Sequence, residues 1–344
     1  MISHASTASR CLLLAAALVA VHPLFAASPL AINWQESTPA PSPRAGYADG
    51  VIGEKLILIG GTYWQGTKGN WTQKVFCGTV DAFDPAAQRW EGLPDAPVTI
   101  GYPASATVNG EIFVLGGMQN GAPSSEVWTL RKTGGHLVWA RRGRMPEARL
   151  FDVAATIGRT IYVSGGTREF EPFDAKGTCC TSRTACTTLW SLDTRNLAAS
   201  WKVLAPFPGK PRWTQRVVAV GQSLYAFGGR YQARTEDPVS TYNEVWRYDT
   251  GTDRWSLVAK LPEVMQGSAP VAIHGQIVLV GESQTVLAFD PATLEYRALS
   301  ALPRPASVDD FVLMGSLLVG AMGENAVEGP RRRSVWSFIG QVSP

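Results

Sequence analysis

One pattern limits what this chain can fold into more than any other: a short apolar run ending in glycine, repeated along its length. LILIGG ends at Gly61, IFVLGG at Gly117, IYVSGG at Gly166 and LYAFGG at Gly229, with weaker copies IVLVGE to Glu282 and LLVGAM to Met322. After a connection of variable length, each is followed by a second run: VDAFD, VWTLR, LWSLD, VWRYD, VLAFD and VWSFI. An aromatic residue shortly before a proline-containing turn closes five of the six units, at Trp90, Trp139, Trp201, Trp255 and Tyr296. Short runs rich in β-branched and aromatic residues, punctuated by glycine and proline, predict strands and turns rather than helices. The 34 glycines, 23 prolines and 12 tryptophans fit that reading.

The sixth unit lacks its closing element because the chain ends soon after Trp336. INWQESTPAPSPR, Ile32 to Arg44, has the same aromatic-then-proline form at the other end. A four-strand unit with a Gly-Gly signature is the repeat of a kelch-type β-propeller. One such sheet cannot bury both faces alone, so the sheets pack around an axis and the ring must close. The expected fold is therefore all-β: a six-bladed kelch-type propeller, residues 28–344, in which the N-terminal strand completes the last blade. Residues 1–27 read as a signal peptide, with an apolar run from Cys11 to Val21 and small residues at Ala26 and Ala27. The expected location is outside the cytoplasm, periplasmic or secreted. The early apolar run is too short to span a bilayer and no later one is long enough, so no membrane insertion is expected. A net charge of +3 with 17% charged residues gives no reason to expect nucleic acid.

In such blades the strands alternate in direction. The connection after the Gly-Gly strand and the connection between blades therefore emerge on one face. Long, variable loops on a rigid scaffold are where binding residues collect. The loop of the first unit, TYWQGTKGNWTQK, carries Tyr63, Trp64, Lys68, Trp71 and Lys74. Aromatics beside polar groups suit sugars, whose C–H faces pack on rings while their hydroxyls hydrogen-bond; the alternative is a plug over the blade core. The loop of the sixth unit, GENAVEGPRRRS, crowds Glu324, Asn325, Arg331, Arg332 and Arg333 together. Arg44, Arg149, Arg212 and Arg304 stand at the turns between blades, either lining the mouth or bonding carbonyls at the blade tops. A cationic mouth on a nearly neutral protein suggests a small anionic ligand. Asp309 and Asp310, expected on the inner strand of the sixth blade, are reserve candidates facing the axial channel.

Four cysteines follow the apolar leader. Three, Cys179, Cys180 and Cys186, fall in the long loop of the third unit, where an exported protein favours a disulfide, Cys186 with Cys179 or Cys180. Their spacing lacks the paired C-x-x-C form of a zinc site. After the leader only His136 and His274 remain, both expected in exposed turns, so neither a histidine triad nor a multi-histidine metal site is expected. No phosphate-cradling strand-to-helix loop is present either. No metal and no cofactor are expected.

The repeat and the order Gly323-Glu324, Pro330, Arg331-Arg332-Arg333, Ser334-Val335-Trp336 resemble the bacterial sialic-acid mutarotases, also called N-acetylneuraminate epimerases. In that family a Gly-Glu at a strand end is followed across a Pro-containing loop by an arginine, and both residues are implicated in catalysis. GGTYWQGTKGNWTQKVF is similar to the following blade of cyclically permuted members. The resemblance implies mutarotation of N-acetylneuraminate or a related acidic sugar. It casts Glu324 as general base and one of Arg331, Arg332 and Arg333 as the group that holds the sugar carboxylate. One difference stands out: Glu324 follows GAMG, whereas the family's glutamate lies directly at the strand end. A second reading, from the many kelch propellers that are not enzymes, is a non-catalytic module that binds an acidic glycan or a protein partner.

Overall fold

The structure, a computed structural model, describes residues 30–67, 70–169, 185–197, 200–232, 237–262, 269–281, 284–305, 310–325 and 329–343, of which 67, 70–72, 324–325 and 329–334 are described by their backbone alone. The described residues form strands and turns with no helix, and no helix among them is long and apolar enough to cross a membrane. Six four-stranded antiparallel sheets follow one another along the chain. Blade one is typical: Ala48–Ile52, Lys55–Ile59, Val80–Asp84 and Arg89–Leu93, in that order from the axis outward.

Burial along these strands follows position in the sheet. Inner strands such as Ala48–Ile52 and Ala104–Val108 alternate between buried and half-buried, one face on the core and the other on the channel. The second strands, Lys55–Ile59, Glu111–Leu115 and Gln276–Val280, are buried at four consecutive positions because neighbouring blades cover both faces. Outer strands such as Arg254–Lys260 are largely exposed.

The ring closes. The inner strands touch in succession: Ala48–Ile52, Ala104–Val108, Leu150–Ile157, Arg216–Val220, Ala269–Ile273, Phe311–Met314, and back to Ala48–Ile52. Apolar clusters fill the seams between blades. The seam between first and last blades holds Leu56, Leu58 and Phe83 against Val319, Ala321 and Ile339. Ala31–Ser37 pairs with Gly329–Ser343 from Ala31 opposite Ser343 to Ser37 opposite Ser337, which makes it the outer strand of blade six, as the sequence predicts.

The glycine signature has a clear conformational cause. Both residues of each pair adopt positive φ: 68° and 106° at Gly60 and Gly61, 61° and 79° at Gly116 and Gly117, 69° and 77° at Gly165 and Gly166. An L side chain is disfavoured there. The second glycine turns its N–H toward the next inter-blade connection, so Gly61 donates to Ile100 O at 2.7 Å and Gly117 to Arg149 O at 2.7 Å. In blade six Met322 and Gly323 take these two places, with φ of 60° and 118°, and Gly323 donates to Arg44 O at 2.9 Å. The junction between last and first blades is thus made by the same hydrogen bond as the others.

Candidate functional site

Because Met322-Gly323 stands in for Gly-Gly, Glu324 occupies the position directly after it, equivalent to Thr62 in blade one. The GAMG difference noted in the sequence is therefore a substitution inside the glycine pair, and Glu324 does lie at the strand end. The pairing of Leu317–Asn325 with Gly329–Ser343 shifts register between Ala321 and Gly323, then sets Glu324 opposite Arg333 and Asn325 opposite Gly329. A bulge of this kind re-aims the strand beyond it. The backbone brings Glu324 and Arg333 into one hairpin; their side chains, and those of Asn325, Arg331 and Arg332, lie outside the described residues.

The first-unit loop is also a hairpin, Thr62–Thr67 with Asn70–Phe76, and Thr62–Thr67 packs against Gly329–Ser343. The two segments singled out in the sequence are neighbours at the mouth. Tyr63 and Trp64 are half-buried. The Lys74 ammonium lies 5.6 Å from the Trp64 ring centroid and 4.6 Å from that of Tyr102, and it donates a hydrogen bond to the Tyr102 hydroxyl. Lys68 and the Trp71 side chain lie outside the described residues.

Three of the four inter-blade arginines do not present themselves to the mouth. Arg44 is buried; its Nε donates to Gly60 O at 2.8 Å and its Nη2 meets Asp81 at 2.7 Å. Arg212 repeats the arrangement, bonding Gly228 O at 3.0 Å and Glu244 at 2.9 Å, over the Tyr242 ring at 3.9 Å. Arg149, also buried, bonds Glu147 at 2.8 Å and Ala148 O at 3.1 Å. Hydrogen bonds from two guanidinium groups, Arg168 first and then Arg149, hold the Glu147 carboxyl below the usual carboxylate range. The alternative stated for these arginines, bonding at blade tops, describes Arg44, Arg149 and Arg212; burial removes them from direct contact with a ligand. Arg304 is partly exposed, paired with Glu36 at 2.7 Å and set 4.8 Å from the Trp336 ring.

The structure adds groups that the sequence reading passed over. Gly46, Tyr102, Phe151 and Thr214 occupy one equivalent position, where each blade's chain enters its inner strand at the mouth, with φ of 66°, 54°, 55° and 53°. The N–H of Tyr102 donates to Gly46 O at 2.7 Å and that of Phe151 to Tyr102 O at 3.0 Å, which links blades one to three around the axis. The rings of Tyr102 and Phe151 join those of Phe76 and Trp213 in an arc: Phe76 edge-on to Tyr102 at 6.2 Å, Tyr102 against Phe151 at 4.2 Å, Phe151 to Trp213 at 5.9 Å. Lys74 stands at one end and Arg230, 5.7 Å from the Trp213 ring, at the other. The sequence signal was an aromatic at the entry of three inner strands, GYP, RLFD and PRWT, hidden because single aromatics at strand starts read as core.

Below the mouth a cavity of about 290 Å³ is lined by Val153, Thr156, Arg216, Ala272 and Asp310, among others. Asp310 thus faces the axial channel as expected, and Arg216 joins it there. Burial pushes the Asp310 carboxyl above its ordinary range, with Arg216 opposing that shift. Asp309 lies outside the described residues. His274 lies in an exposed turn as expected, whereas His136, also exposed, opens the strand His136–Arg144. Cys186 is buried; Cys179 and Cys180, its suggested partners, lie outside the described residues. Among the described residues no group of three or more His, Cys, Asp or Glu could hold a metal ion.

Comparison with known proteins places this geometry in context. The family model described as N-acetylneuraminate epimerase matches residues 181–301, which run from the third blade to the fifth. The chain is 34% identical to the N-acetylneuraminate epimerase of Yersinia enterocolitica over 27% of its own length and 24% of that protein. It is 25% identical to mouse Kelch-like protein 35 over 85% of its length and 46% of that protein, and 24% identical to Kelch-like protein terF of Aspergillus terreus over 72% and 52%. The chain spans about half the length, or less, of these curated relatives. With six four-stranded sheets in a closed ring, it is a kelch-repeat propeller that resembles the N-acetylneuraminate epimerases.

Proposed function

We propose that this kelch-repeat propeller is an exported mutarotase of an acidic sugar, N-acetylneuraminate or a close relative. Mutarotation opens a cyclic hemiketal and recloses it on the other face. A base takes the proton of the anomeric hydroxyl, the bond to the ring oxygen breaks, and an acid protonates that oxygen. Glu324 is assigned as the base. Its conjugate acid or a water returns the proton, and one of Arg331, Arg332 and Arg333 holds the sugar carboxylate in a two-point fork. Tyr63, Trp64 and Lys74 flank the ligand from the neighbouring hairpin. No step requires a metal or a cofactor.

One observation carries the assignment: Glu324 directly follows the glycine-pair equivalent and stands opposite Arg333 in a hairpin packed against the aromatic hairpin. The partial identity to N-acetylneuraminate epimerases supports the choice of sugar. The apolar leader before Ala26 supports export.

The test is the rate of anomer exchange of freshly released N-acetylneuraminate, followed by NMR with the mature protein and with Glu324→Gln. Acceleration by the native protein, lost in a folded Glu324→Gln variant, is expected. Equal rates in the two proteins would remove Glu324 from the mechanism. A second reading, a binding propeller for an acidic glycan or a protein, draws support from the long match to Kelch-like protein 35. It predicts ligand-induced shifts without any acceleration.

A further inference from the structure

We propose that Phe151, with the Tyr102 ring packed behind it, is the platform on which the apolar face of the sugar packs, and that the pair fixes the orientation of the ligand in the mouth. This rests on the sugar reading above and adds residues to it.

The position they occupy has a left-handed backbone in every blade where it is described, and in blades two and three its N–H turns back to the preceding blade. Blade one meets the demand with Gly46, at no steric penalty. Blades two and three meet it with bulky aromatics, for which positive φ is a genuine outlier. The bonds that join the blades at this level are made by backbone N–H and C=O, so they do not need a ring. Strain of this kind persists where surrounding structure enforces it, and it collects at binding and catalytic sites.

The local packing fits a platform. Phe151 and Tyr102 are half-buried rather than sealed, at the mouth-side entry of the inner strands, above the cavity that holds Arg216 and Asp310. Gly46 lies against the Tyr102 ring so closely that a Cβ there would fall 2.4 Å from it. Gly101 is similarly pressed on the Phe76 ring, at 2.5 Å. Two glycines therefore make room for the rings, which hold one orientation. A ring face with a cation at the edge, here Lys74, is the combination that suits an acidic pyranose: C–H groups on the ring, carboxylate toward the charge.

The experiment uses Phe151→Gly, which removes the ring and adopts the left-handed backbone readily, and Phe151→Leu, which keeps apolar bulk without a flat face. Thermal unfolding checks the fold, and NMR titration measures binding of N-acetylneuraminate and of neutral N-acetylglucosamine. The expected result is an unfolding midpoint for Phe151→Gly close to that of the native protein, with affinity for N-acetylneuraminate weakened about tenfold or more in both variants, the loss of one stacking surface. A folded Phe151→Leu that binds as well as the native protein would overturn the platform while leaving the acidic-sugar reading intact. Native protein that prefers the neutral sugar, with the same loss in both variants, would uphold the platform and sink the acidic-sugar reading. Native protein that binds neither sugar overturns both.

Discussion

At the scale of single residues, Asp152 offers the sharpest test of the electrostatics. It follows Phe151 into blade three, is buried, and no other residue hydrogen-bonds either carboxylate oxygen. Burial pushes its pKa up to about 7, opposed by its own backbone N–H and by the Arg149 charge. The sign of the resulting pH dependence follows directly. Between the unfolded-chain pKa, near 4, and about 7, the folded protein holds a proton that the unfolded chain has lost. Stability therefore falls as pH rises through that window, by about 1.4 kcal/mol per pH unit at most, and levels off above it. In Asp152→Asn this term is absent. Urea unfolding from pH 4 to pH 8 should show the variant gaining on the native protein as pH rises; parallel curves would mean that the carboxyl ionises freely in the fold.

At the scale of elements, the strand ends carry the sharpest demand. Gly117 has φ of 79°, and a Cβ there would lie 2.7 Å from Gly101 O and 2.9 Å from the Pro103 nitrogen. These are backbone atoms of the connection from the preceding blade and cannot swing aside. Gly134, in the exposed hairpin turn of blade two, has φ of 58° with nothing within 4 Å of a Cβ. Gly134→Ala should cost only the left-handed penalty, roughly 1–2 kcal/mol. Gly117→Ala adds steric conflict to it and should cost clearly more, read as the difference between the two midpoints in urea; equal losses would mean that the seam can relax around a methyl. This contrast also explains what the sequence could and could not convey. Glycine pairs were legible because few other residues accept that backbone, and the second apolar runs because both faces are covered. Met322-Gly323 was obscured because a buried methionine bears the same conformation. The arginine turns were legible as a repeated element but not in role: only their partners, Gly60 O and Asp81 for Arg44, distinguish an internal brace from a ligand-binding charge. The aromatic arc was invisible because it is assembled from residues far apart in the chain, brought together by the ring.

At the scale of the whole molecule, closure depends on one strand. In each of the other five blades the outer strand follows the third directly along the chain, whereas blade six takes Ala31–Ser37 from the opposite end. That strand buries Ile32 completely, with Leu30 just before it nearly buried too, sets Trp34 edge-on to Phe311 at 5.6 Å, and covers the edge of Gly329–Ser343. Burying side chains such as Leu30 and Ile32 stabilises by about 1.5–3 kcal/mol each, against a total that is on the order of 5–15 kcal/mol for a folded domain. Removing residues 30–37 should therefore take a large share of the stability and leave an unpaired strand edge that invites association between chains. The register suggests the rescue: Ala31 lies opposite Ser343, so a two-residue turn from Ser343 to Leu30, with new chain ends at the exposed Pro41, would give blade six the same connectivity as its neighbours. The truncated protein is expected to aggregate or unfold at markedly lower urea concentration, and the permuted one to match the native midpoint. A truncated chain that stays monomeric with an unchanged midpoint would show that the ring holds without its last hydrogen-bonded edge.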